Sequence, residues 1–140
     1  MNNLIKQFAP SALILLFAYA AASKWLAIDD FYGQLYNQSF PHWLAEVLWR
    51  ILIPLELLTA VLLSFIRTQR LGLWLATILM AAFTLYVLLV LLHFWKRIPC
   101  SCGGVLGRLS WGSHLVFNSI FLAISASALW LSAYDTRDLG

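Results

Sequence analysis

Cys100 and Cys102 are the only two cysteines of the 140-residue chain, and they stand one residue apart in the run Pro99-Cys100-Ser101-Cys102-Gly103-Gly104. A disulfide requires its two Cα atoms about 4.4–6.8 Å apart with a defined dihedral angle. An i, i+2 pair in extended chain lies near or beyond that limit, and its ring is very small. A bond formed there is strained and easily reduced, which suits an exchanging disulfide better than a structural one. Pro99 fixes the approach to a turn, and Gly103 and Gly104 leave room for an incoming partner. Lys96 and Arg97 just upstream favour the thiolate, although both also serve as headgroup anchors whose stems lie along lipid. Three uses of the pair stay open: a redox-active dithiol, a soft-metal site for Cu(I) or zinc completed by His93 or His114, and two ordinary thiols in a turn.

The other chemically expensive residue is Glu56, a carboxylic acid inside an apolar run that also holds Pro54. A carboxyl near the middle of a bilayer costs a few kcal/mol, so it must face other helices and be paired or protonated. Lys24 and Arg50 are the candidate cations, with Arg50 six residues away and pointing elsewhere on an ideal helix. Thr59, three residues on, shares the face of Glu56 and is placed to donate to it. Pro54 frees the carbonyl of Arg50. Glu56 reads either as an interhelical hydrogen bond or as a proton-relay or quinone-contacting group. His114 and Asn118 lie one turn apart on one helix face and read as polar glue between helices, with a catalytic or ligand role for His114 as the alternative. His42, beside Pro41, reads as solvated.

These residues must be positioned by helices in lipid. The chain is 62% hydrophobic and 11% charged, with a mean hydropathy of +0.82, against roughly 45–50% and about 25% in soluble domains. A span needs roughly 20 apolar residues. The expected fold is an all-α bundle of four transmembrane helices at about 8–27, 44–66, 71–95 and 113–134, forming a single domain over 1–140. Pro10 falls in the first turn of the first helix. Ala20-Ala21-Ala22 after Lys6 also fits a cleavable leader, but the apolar run continues through Trp25 and Leu26, and Lys24-Trp25 reads as an interfacial anchor pair. Between the first two spans, Asp29 or Asp30 can cap a short interfacial helix through Tyr36, with Phe31 and Leu35 facing lipid. The link at 67–70 makes the second and third spans antiparallel neighbours. Ser110 can cap the fourth helix, with Trp111 at its start.

Four spans place the cysteines, all three histidines, Trp25, Trp43, Trp95 and Trp111 at one surface, with Trp74 and Trp130 at the other. Scattered basic residues suit lipid headgroups and topology, and no basic run suggests nucleic acid. Lys6, Arg67, Arg70 and Arg137 oppose Lys24, Lys96, Arg97 and Arg108. The compact Arg67/Arg70 pair tips the termini to the cytoplasm and the cysteines to an oxidising compartment such as the bacterial periplasm.

Ser23-Lys24, Asp30-Phe31, Pro54-Leu55-Glu56-Leu57, the cysteine run and Leu109-Ser110-Trp111 with His114 and Asn118 together resemble the MauE-like, DoxX-related redox-associated membrane proteins. The resemblance covers nearly the whole chain and is most specific at the cysteine loop. It implies a four-helix protein of the bacterial inner membrane, associated with maturation of the disulfide-rich methylamine dehydrogenase beside a periplasmic thioredoxin-like partner, and DoxX-type relatives add a link to quinone-coupled oxidation. Carried onto this chain, Cys100 and Cys102 are the redox pair, with Lys24, Glu56, His114 and Asn118 in support. A quinone would then sit among Trp25, Trp95, Trp111 and the bundle's polar groups. The rival readings are a non-catalytic accessory subunit of a larger membrane complex, and copper or zinc handling by Cys100, Cys102, His93 and His114.

Overall fold

The computed structural model describes residues 2–38, 40–95 and 110–138. Among the described residues five helices follow one another: α1 (Asn2–Leu26), α2 (Ile28–Tyr36), α3 (His42–Ser64), α4 (Gln69–Leu91) and α5 (Trp111–Asp138). All but α2 are long and apolar enough to cross a membrane. The chain is therefore an all-α, multi-pass membrane protein built on four spans. Around the bundle α1 packs on α3, α3 on α4, α4 on α5, and α5 back on α1.

The composition of the two surfaces is what a lipid solvent dictates. Buried positions hold many small or polar residues, among them Ala9, Ala21, Ala45, Ala60, Ala76, Thr59 and Ser125. Large apolar side chains such as Leu15, Leu58, Val61, Ile78 and Trp130 face outward. Hydrocarbon solvates Leu as well as a protein core does, so close backbone approach and polar contact drive helix association. Gly72 at the start of α4 marks the closest approach: a Cβ there would stand 2.8 Å from the backbone nitrogen of Leu63 on α3. On α1, Ala9, Leu13, Phe17 and Ala21 recur every four residues as one buried ridge.

Three expectations need correcting. α1 begins at Asn2, so Pro10 lies well inside it and not in its first turn; an interior proline is tolerated where neighbouring helices re-satisfy the freed backbone. The short helix α2 exists, but Ala27 precedes it without a side-chain cap, and Asp29 and Asp30 occupy its first turn. Phe31 and Leu35 do not face lipid. They are buried with Ala21, Ala45, Leu52 and Ile53 in a core cluster of their own, so α2 folds inward as a plug over one end of the bundle.

Polar ties hold that plug. Tyr36 Oη donates to Glu46 Oε2 at 2.6 Å, and Arg50 donates to Glu46 Oε1 at 2.7 Å. The bond to Glu46 holds the pKa of the Tyr36 phenol well above its ordinary value, so the hydroxyl stays protonated and keeps donating. Tyr86 Oη of α4 donates to Gln38 Oε1 at 2.5 Å just beyond α2. At the far end of the bundle Lys6 and Asp135 pair across α1 and α5 at 2.5 Å, exposed to solvent; such a pair contributes little.

Candidate functional site

The chemistry-bearing residues gather at the end of the bundle that holds the C-termini of α1 and α4 and the N-termini of α3 and α5. Lys24 lies in the last turn of α1. Its Nζ is 2.9 Å from Glu56 Oε1 and 3.2 Å from Oε2, and it also donates to the carbonyl of Ala20 at 3.3 Å. The two side chains are 11% and 1% exposed. Lys24 is thus not a headgroup anchor beside Trp25: it turns into the bundle while Trp25 stays 66% exposed. The reason is the carboxyl on α3, which needs a cation and has this one within reach. The Phe31 ring of the inward α2 lies 6.0 Å from the ammonium and covers the pair.

Two other proposed partners of Glu56 bond elsewhere. Thr59 donates to the Leu55 carbonyl at 2.8 Å, the usual back-bond of a helical threonine. Arg50 is taken by Glu46. Gln38, Tyr86 and Glu46 carry no weight in the sequence reading yet shape this end of the fold. Only the i, i+4 spacing of Glu46 and Arg50 on α3 signalled part of it.

The ion pair lies on the wall of a cavity of about 410 Å³ bounded by all five helices. α3 contributes Leu44, Leu48, Leu52 and Glu56, every fourth residue, and α5 faces it with Trp111, His114, Phe117 and Asn118. The cavity fills the gap across the bundle between these two non-adjacent helices. Its walls are overwhelmingly apolar. The core closes in the other half, where Leu13, Leu63 and Leu73 pack together, with Phe17 and Met80 of the same cluster bordering the cavity.

His114 and Asn118 are on this wall, Asn118 buried and His114 half-buried. His114 Nδ1 is shielded from solvent and has no hydrogen-bond partner among the described residues. Its ring stacks on Trp111 at 6.4 Å. Ser110 caps α5 as expected, accepting from the Ser113 amide at 3.2 Å. Lys24, Glu56, His114 and Asn118 are therefore brought to one cavity.

His93 is not part of it. It follows α4 with φ at 55°; its amide bonds Val90 and the Phe94 amide bonds Leu89. That double bond is the Schellman ending of a helix, so His93 terminates α4. His42 opens α3, exposed, with its ring 5.3 Å from Tyr36. Among the described residues no group of three His, Cys, Asp or Glu side chains comes together to hold a metal. Trp95 packs against Tyr86 at 5.6 Å with its ring tilted but does not line the cavity, and neither does Trp25, so the tryptophan setting expected for a quinone is reduced to Trp111. Cys100 and Cys102, with Lys96, Arg97, Pro99, Gly103, Gly104 and Arg108, lie outside the described residues.

Fold and site together define a small four-span membrane protein with an apolar cavity, carrying a few polar groups, at one end of its bundle. Residues 2–131 match the family described as methylamine utilisation protein MauE, and the chain belongs to that family. Neither a curated protein nor a solved structure gives a further match.

Proposed function

We propose that this protein is a thiol–disulfide redox protein of the bacterial inner membrane, with Cys100 and Cys102 as its exchanging pair and its termini in the cytoplasm. The observation that carries the reading is the placement of the cysteine segment. Its described flanks, Trp95 beyond the end of α4 and Ser110 just before α5, lie at the bundle end where Lys24, Glu56, His114 and Asn118 meet around a cavity. Membership in the MauE family supports a link to methylamine utilisation.

The chemistry is an exchange of one disulfide for one dithiol. A thiolate of the pair attacks a sulfur of the partner's disulfide, forming a mixed disulfide and releasing a partner thiolate. The second thiolate of the pair then attacks the mixed disulfide, leaving Cys100 and Cys102 joined and the partner reduced by two electrons. The reverse sequence oxidises the partner. Cys100 adjoins Lys96 and Arg97 and is the stronger candidate for first attack. The partner is a periplasmic thioredoxin-like protein, which can reach the membrane surface.

Replacement of both cysteines by serine tests this reading. Loss of the partner's redox cycling with unchanged membrane levels of the protein is the expected result. Unchanged partner disulfides would favour an accessory subunit, and metal retained by the wild type but lost in either single variant would favour copper or zinc handling.

A further inference from the structure

The cavity has a chemistry of its own, independent of the cysteines. An ammonium has three protons to donate, and all three from Lys24 are taken, by Glu56 Oε1, Glu56 Oε2 and the Ala20 carbonyl. The carboxylate has about four lone-pair sites, of which Lys24 uses one on each oxygen. The ion pair therefore presents acceptors and no free donor. The pair is also neutral as a unit, so it offers no countercharge to an ionic ligand. Across the cavity His114 Nδ1, buried and without a hydrogen-bond partner among the described residues, adds a second polar point. Between these points the walls are aromatic: Phe31, Phe83, Tyr86, Trp111 and Phe117. A volume of about 410 Å³ falls within the roughly 300–1,000 Å³ range of small-molecule sites, which combine apolar lining with a few placed polar groups.

We infer that this cavity binds an uncharged, membrane-soluble hydroxylated aromatic molecule, whose O–H donates to the free lone pairs of Glu56 and whose ring packs on the aromatic walls toward His114. An anion is disfavoured by the carboxylate, a cation finds its counter-ion already taken, and an unsubstituted hydrocarbon leaves both polar points unmet. The inference goes beyond the redox reading and does not need it.

The test is equilibrium binding of 1-naphthol and of naphthalene to the purified protein in detergent, each corrected for partition into protein-free micelles. One 1-naphthol per chain is expected, with naphthalene at least about tenfold weaker for lack of a hydrogen bond to a charged group. Ala82 lines the cavity from an exposed position on α4, so Ala82→Trp fills the space from its edge and is expected to abolish binding of both compounds. Lys24→Met with Glu56→Leu removes both charges together and is expected to erase the preference for 1-naphthol while keeping naphthalene; it carries the test should the Ala82 variant not fold. The chain with Cys100→Ser and Cys102→Ser is expected to bind 1-naphthol as the wild type does, so this inference and the redox reading fail separately. Equal affinity for the two compounds, absence of saturable binding, or 1-naphthol binding that survives Ala82→Trp overturns the inference.

Discussion

Lys24 and Glu56 differ in what each can do if left alone. Lys24 sits in the last turn of α1, where a long stem can carry its ammonium to the membrane surface. Glu56 sits in the fifteenth position of the 23-residue α3 and is only 1% exposed. Removing the cation therefore strands a buried acid, whereas removing the acid frees a lysine that can swing out. Breaking a buried pair from one side costs roughly 3–5 kcal/mol. Lys24→Met is expected to lose about that much stability in detergent unfolding, Glu56→Leu clearly less, and the double variant to recover most of the loss. Equal losses from the two single changes would contradict this asymmetry. The pair itself was half legible in the sequence. A lone carboxyl in a greasy run demands a partner, and Lys24 was one of two choices. Its inward direction was not legible, because a lysine at the end of a span more commonly anchors outward. What decides between the two is where α1 meets α3, a tertiary fact.

At the scale of elements the same contrast appears. The four spans were readable from apolar length alone, since lipid fixes how long a helix must be. Their ends differ by up to several residues: α1 starts earlier and α5 runs on later because terminal polar turns continue a helix once it leaves the hydrocarbon, while α4 stops at Leu91, where His93 takes up a left-handed turn. The inward burial of α2 was not readable. Phe31 and Leu35 share a face that suits lipid and a protein core equally well, and only the space above the ion pair decides. Two local devices at helix ends give checkable outcomes. Gly72→Ala places a methyl group against the α3 backbone, which cannot yield as a flexible side chain would, and is expected to lower stability by about 1–3 kcal/mol. His93 holds a left-handed conformation that costs a non-glycine residue roughly 1–2 kcal/mol. His93→Gly is expected to leave α4 folded and raise thermal stability in detergent; a loss of stability would mean that the imidazole makes a contact beyond ending the helix.

For the whole molecule, the closed half of the bundle and the open half divide the work. Ala9, Leu13, Leu63 and Leu73 pack together in the half that holds the termini, which lets the other end tolerate a cavity, a buried ion pair and the long connection that carries the cysteines. The turn of chain between α3 and α4 is tight and basic, with Arg67 and Arg70 exposed or near-exposed at its ends. An impermeant thiol reagent added to intact cells after reduction is expected to label Cys100 and Cys102; labelling only after the membrane is opened would reverse the orientation and put the pair in a reducing compartment. The most direct measurement is capture of the exchange intermediate. Chains that retain a single cysteine, through Cys100→Ser or Cys102→Ser, are expressed in cells, quenched in acid and alkylated, then separated without reductant. At least one of them is expected to run as a covalent adduct with a second protein that dissolves on reduction and is absent from the double serine variant. No such adduct from either variant, at wild-type levels of the protein in the membrane, would contradict disulfide exchange as its activity.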